Sequence, residues 1–186
     1  MSIVVRERRD ADVARLVELL AEQQAVSSYP VRWPLPVPAE EFLVRSSERR
    51  AWVAELDGAV VGHVSVGDPE ELVPRFAAAT GATGFGMVSV LFTALAVRRQ
   101  GVGALLLDTA VAWIRGRGEV PVLDVVPVHE AAVRLYRDRG WVEIGTERFA
   151  WLGEGVPDLL LMALPPYPSA YPPPGPATST GPSARS

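Results

Sequence analysis

Two rhythms of apolar residues alternate along the chain. Ile3-Val4-Val5-Arg6 is a short apolar run that predicts a first strand. Val13, Leu16, Val17 and Leu20 then recur at helical spacing, predicting a helix from Ala11 to Gln24 with Asp10 as its N-cap. Proline and aromatic residues interrupt the rhythm from Tyr29 to Pro38, which reads as a loop covering the core or walling a cleft. Ala39 to Ser47 predicts a short helix. Ala51–Leu56 and Ala59–Val66 are alternating, β-branched runs separated by Asp57-Gly58, a strong hairpin signal. An excursion from Asp68 to Gly84, with a helix expected over Glu70–Ala79, leads into a strand from Phe85 to Thr93. A broad apolar face predicts a helix from Val102 to Arg115, ended near Gly116 and Gly118. Val120–Val126 is an apolar strand interrupted only by Asp124. His129–Arg139 predicts a helix closed by Gly140, and Trp141–Gly145 with Leu159–Leu164 a final strand pair.

The junction between the fourth strand and the long helix is the most informative stretch. Leu91 to Val97 is apolar, Arg98-Arg99-Gln100 is polar and basic, and Gly101 and Gly103 open the helix. Glycines allow close approach of backbone N–H groups to a ligand, and a helix N-terminus adds unsatisfied donors and a positive dipole end. With the arginines, this is a candidate diphosphate site, although an ordinary turn with charged surface residues has the same local pattern. A dinucleotide-binding glycine turn is rejected, because Leu106 replaces its third glycine and several strands come first.

Composition narrows the chemistry. A chain of 186 residues, 48% apolar and 22% charged, has the make-up of a soluble globular domain with its own core. The net charge of −4 gives no reason to expect nucleic-acid binding. Cysteine is absent, which excludes disulfides, thiolate metal sites and a Cys nucleophile. Lysine is absent too, which excludes a Walker P-loop and Schiff-base chemistry. With only His63 and His129 as histidines, no metal site is expected. No signal peptide or membrane span is read, so a cytoplasmic location is expected, and the arginine- and alanine-rich composition is associated with GC-rich bacterial genomes. From Pro165 the chain is Pro, Ser, Ala, Gly and Thr with two tyrosines and Arg185. Residues 1–164 are therefore expected to form one domain and 165–186 a disordered tail.

Three segments, in order, resemble the GNAT superfamily of N-acetyltransferases. Trp52-Val53-Ala54-Glu55, Asp57-Gly58 and Val61-Gly62 match its central hairpin. Arg98-Arg99-Gln100-Gly101-Val102-Gly103 is similar to its acyl-CoA turn, Arg/Gln-x-x-Gly-x-Gly/Ala. Ala131 to Trp141, containing Leu135-Tyr136 and Gly140-Trp141, is similar to its late helix signature. The resemblance covers residues 3 to 164. It implies an α/β (α+β) fold, with a central mixed, mostly antiparallel twisted sheet of six to seven strands flanked by about four helices. Two positions depart from the family pattern: Leu95 stands where proline is frequent, and His129 where asparagine commonly opens the late helix.

The resemblance further implies acetyl transfer from acetyl-CoA to a primary amine, on a small molecule or a peptide N-terminus, without a metal. Leu91, Phe92 and Thr93 would pair with the pantetheine arm, and Arg98, Arg99, Gln100, Gly101, Val102, Gly103 and Ala104 would hold the pyrophosphate. His129 and Ala132, on the late helix, join this cofactor-binding set. Tyr136 is implied as the general acid facing the CoA sulfur. The glutamate that the histone-acetylating branch uses as base is replaced by Met87, whereas Asp124 matches the acid of the ribosomal-protein N-terminal acetyltransferases. An acid in so apolar a strand has a raised pKa, which suits a base working near neutrality. Glu55, His63, a water relay or a purely structural Asp124 remain as alternatives. An acyl-CoA-binding regulatory module without transfer is the second reading. The acceptor and the oligomeric state, including a homodimer, are left open.

Overall fold

The computed structural model describes residues 2–166, so all but the first two residues of the expected tail lie outside the described residues. Twelve elements follow one another: β1 (Ile3–Glu7), α1 (Val13–Ser27), α2 (Ala39–Leu43), β2 (Glu48–Leu56), β3 (Ala59–Gly67), α3 (Val73–Thr80), β4 (Phe85–Thr93), α4 (Val102–Gly116), β5 (Val120–Val125), α5 (Glu130–Asp138), β6 (Val142–Glu147) and β7 (Leu159–Ala163). The strands form one seven-stranded sheet in the order β1-β2-β3-β4-β5-β7-β6. Every neighbouring pair is antiparallel except β4 with β5. This is the mixed, mostly antiparallel sheet expected from the sequence, with five helices where about four were expected.

Most departures from the sequence reading are at element ends. Asp10 does not cap α1. Asp10–Asp12 form a 3-10 turn, and the Asp12 carboxylate accepts the Arg9 N–H at 2.7 Å while gripping Arg6 at 2.7 and 2.8 Å. The helix consequently starts at Val13 and runs on to Ser27, ended by the left-handed Ser28. The expected helix of residues 39–47 stops at Leu43, whose fully buried side chain anchors it, and the two serines that follow turn the chain into β2. Glu70–Leu72 is a 3-10 turn ahead of α3, where Pro74 fits the first helical turn, which needs no N–H from it.

Alternation along β4 divides the core. Phe85 and Met87 join Leu72 and Phe76 in a cluster beside α3, whereas Val88 joins the main core with Leu106 and Ile114 of α4 and Leu16, Leu19 and Leu20 of α1. α4 can lie close to the sheet because Gly62 and Gly86 face it. A Cβ on Gly86 would come within 2.6 Å of Ile114, and one on Gly62 within 2.9 Å of Leu106. The long helix is thereby fixed over β3 and β4, with its N-terminus at one end of a cleft.

Candidate active site

The cleft arises where the one parallel pair comes apart. β4 and β5 are in register only over Phe85–Met87 and Val120–Val122. Past that point their facing edges are no longer bonded to each other, and a space of about 1240 Å³ opens between Val88–Thr93 and Asp124–Val126. The split coincides with an irregularity in β4. Its pairing with β3 shifts between His63 and Ser65, and Val90 has a φ of 51°, a left-handed conformation rare for a β-branched residue. The expected pantetheine residues Leu91, Phe92 and Thr93 all line this space. So large a cleft with a free strand edge suits a long, extended ligand able to pair with backbone groups.

The glycine turn forms one end of the cleft. Arg99 and Gly101 both have positive φ, 64° and 81°, which bends the chain sharply before α4. The first amide bonded within α4 is that of Leu105, to Gly101 O at 3.0 Å, so Val102, Gly103 and Ala104 carry the unsatisfied N–H groups of the helix start. Arg98, Arg99, Gly101, Val102, Gly103 and Ala104 line the cleft. Gln100 does not: its side chain donates to Ala96 O at 3.0 Å and braces the turn from within. Arg98 is steadied at 3.5 Å by the buried Gln23 of α1, whose amide also donates to Tyr29 O at 2.5 Å. Orphan amides, a helix N-terminus and two arginines, the groups expected of a diphosphate site, are thus brought together at this end of the cleft.

At the other end, Asp124, Tyr136 and Tyr29 converge. Asp124 stands where β5 leaves β4, amid apolar neighbours, and desolvation raises its pKa above the usual carboxylate range, with the Arg45 guanidinium acting against this. Tyr136, buried on α5, has its phenol pKa pushed well up by burial and by the nearby Tyr29 and Asp124. Tyr29, in the loop after α1, is pushed up to about 12, chiefly by burial. Both phenols therefore stay protonated throughout the neutral range. Ala132 and His129 line the cleft beside them. His129 precedes α5 and packs edge-on against Tyr29, with ring centroids 5.6 Å apart. Its Nε2 is buried with no hydrogen-bond partner among the described residues, and burial lowers its pKa.

A smaller cavity of about 180 Å³ adjoins the cleft. Arg45, Ser89, Asp124 and Trp151 line both spaces, so the Asp124 carboxylate lies at their junction. Met87, Ser65 and Phe149 complete the inner wall, and Asp68, Glu70 and Glu71 stand at its margin. Among the described residues no three His, Asp or Glu side chains converge as a metal-binding group. The remaining base candidates lie elsewhere. Glu55 is taken up by Arg6 at 2.5 and 2.8 Å, and His63 is fully buried with both ring nitrogens engaged; neither lines the cleft or the smaller cavity. Tyr29, Arg45 and Gln23 were not singled out from sequence. They come from a proline-rich loop, a turn and a helix far from the recognised motifs, and only the fold brings them to the site.

The profile of the Acetyltransferase (GNAT) family matches residues 15–141, more than half of the chain. The chain belongs to that family. Among solved structures, yncA of Salmonella typhimurium, determined with its cofactor acetyl-CoA, is 21% identical with a TM-score of 0.68, over 94% of this chain and 99% of that one. The ribosomal-protein-S18-alanine N-acetyltransferase of Escherichia coli is 16% identical with a TM-score of 0.65, over 90% and 96%. The ribosomal-protein-alanine N-acetyltransferase of Brucella melitensis is 25% identical with a TM-score of 0.64, over 86% and 98%. No curated protein sequence matches the chain. Membership of this family, with a structural neighbour determined with acetyl-CoA, supports an acetyl-CoA-dependent acetyltransferase.

Proposed function

We propose that the protein acetylates a primary amine of a small molecule or a peptide N-terminus, with Asp124 as base, directly or through a water, and Tyr136 as acid. The observation that carries this reading is the position of Asp124 at the junction of the two spaces. Acetyl-CoA would lie in the cleft, its diphosphate at Arg98–Ala104 and its pantetheine arm along Leu91–Thr93. The amine would approach from the smaller cavity. Asp124 removes a proton from the ammonium, and the freed nitrogen forms a bond to the thioester carbon. The free edge of β4 offers N–H donors to the resulting oxyanion. The C–S bond then breaks and the electron pair leaves on sulfur.

Tyr136 meets that sulfur. A thiol titrates near 8.5, below a buried phenol, so complete proton transfer from Tyr136 is uphill and a hydrogen bond to the developing thiolate is its first contribution. Proton delivery is completed as the product nitrogen sheds its second proton. The acyl-CoA-binding module without transfer draws support from Met87, which puts a thioether where the histone-acetylating branch carries a glutamate. Thiol release from acetyl-CoA over a panel of peptide N-termini, amino acids and diamines separates the two. Turnover on at least one amine is expected, and saturable acetyl-CoA binding with no turnover on any overturns the transferase reading.

A further inference from the structure

His63 is a buried, titratable side chain that the proposed chemistry does not use. It lies on β3 at the point where pairing with β4 slips: His63 is opposite Phe92 and Ser65 opposite Ser89, leaving Val64, Val90 and Leu91 outside the ladder. A slip of this kind takes backbone carbonyls away from their sheet partners, and buried carbonyls need others. Two β3 side chains supply them. His63 Nδ1 lies 2.9 Å from Val90 O, and Ser65 Oγ donates to Ser89 O at 3.2 Å.

The proton on the ring is assigned by Arg8. Its Nη1 lies 3.1 Å from His63 Nε2, and a guanidinium nitrogen only donates, so Nε2 accepts and the hydrogen is on Nδ1. Arg8 is itself held by Glu48 at 2.8 and 2.5 Å and donates to Leu43 O at 3.1 Å. A second proton on His63 would face this guanidinium, with Arg45 also nearby. Arg8 thus donates both to the Glu48 carboxylate and to His63 Nε2, and His63 Nδ1–H in turn donates to the carbonyl of the left-handed Val90. An apolar residue would fill the same space beside Phe92, whose ring centroid is 5.8 Å away, but would leave that carbonyl without a donor.

We infer that His63 is a positioning residue for acetyl-CoA: its Nδ1–H holds the Val90 carbonyl, and with it the β4 irregularity that frees the edge of Leu91–Thr93 for the pantetheine arm. This rests on the acetyl-CoA reading of the cleft. Ser65 supports the same bend one residue earlier, and Arg8 selects the tautomer on which it depends.

The test combines a measurement on the wild-type chain with three variants. Nitrogen-15 NMR of the wild-type imidazole is expected to show the neutral Nδ1–H tautomer from pH 5.5 to 8.5. His63→Leu is expected to raise both the KM for acetyl-CoA and the calorimetric Kd for CoA by about tenfold or more, with kcat changed by no more than about threefold, since misplacing a binding edge weakens what it holds. His63→Gln, whose amide can donate, is expected to recover part of the loss, and Arg8→Met to fall between His63→Leu and wild type. An Nε2–H tautomer in the wild-type chain overturns the inference whether or not any variant folds. So does a folded His63→Leu with unchanged KM and Kd, or one in which kcat alone falls. Wild-type protein that fails to bind CoA overturns the acetyl-CoA reading instead, and the ring measurement still decides whether Val90 is held as described.

Discussion

Asp124 is placed where an acid is costly to keep, and that cost is measurable apart from catalysis. Its folded-state pKa is raised, so between the unfolded value near 3.9 and the raised one the folded protein binds more protons than the unfolded chain. Stability therefore falls as pH rises through that window, and at neutral pH keeping this carboxyl buried is a burden on the fold. Asp124→Asn removes the charge and keeps the shape. Its melting temperature should exceed that of wild type at pH 7, and the difference should shrink toward pH 4, when followed by calorimetry across that range. The same variant should lose about 10²-fold or more in kcat and the acidic limb of the pH–rate profile. A group that trades stability for activity in this way behaves as a working base, whereas a structural acid would destabilise when replaced. Tyr29 sharpens the companion question for Tyr136. Both phenols are protonated and near Asp124, and only the one that meets the sulfur should matter for kcat. Tyr136→Phe is expected to cost about 10²-fold in kcat with little change in acetyl-CoA KM, while Tyr29→Phe leaves kcat within a few-fold.

At the scale of elements, the glycine turn and α4 act as one rigid piece because the sheet beneath them has two gaps. Gly86→Ala would push a methyl group to within 2.6 Å of the fully buried, β-branched Ile114. A loss of about 1–3 kcal/mol is expected in urea unfolding, the usual range for overpacking. The resemblance was legible in this region since Arg98, Gly101 and Gly103 serve local geometry that sequence records directly: a left-handed turn and a helix start open to a ligand. Gly62 and Gly86 were not legible in the same way. Inside apolar strands they read as weak points, and only the packed helix explains them. Element ends were the least readable. The side chain that opens the α1 region is Asp12 and not Asp10, because Arg6 near the end of β1, a partner that only the folded turn brings to it, helps hold it. Gln100 fits the family pattern and yet turns back to Ala96, since the motif specifies the bend of the chain and leaves the direction of an exposed amide to local hydrogen bonding.

For the whole molecule, the decisive feature is a sheet that is continuous in order but open in the middle. Paired β4–β5 residues end at Met87 and Val122, while β3 stays bonded to β4 on one side and β7 to β5 on the other. None of the individual strands predicts such an opening, because Phe85–Thr93 and Val120–Val126 each read as ordinary apolar strands. The gap comes from their combination with the slip that His63 and Ser65 support. An unfilled gap leaves backbone donors and acceptors on facing edges without sheet partners, so a ligand that pairs with them is bound by the folded state alone. CoA at a hundred times its Kd should then stabilise the fold by about 2.7 kcal/mol, or roughly 5–11 °C for a domain of this size. The protection should be local as well as global. Amide hydrogen exchange is expected to slow at Leu91–Thr93 and Val102–Ala104 when CoA is added, with β1 and β2 little changed. Uniform slowing across the sheet, with no excess at those two segments, would mean that CoA stabilises the protein without using the opened edge, and would separate the fold's most distinctive feature from its ligand.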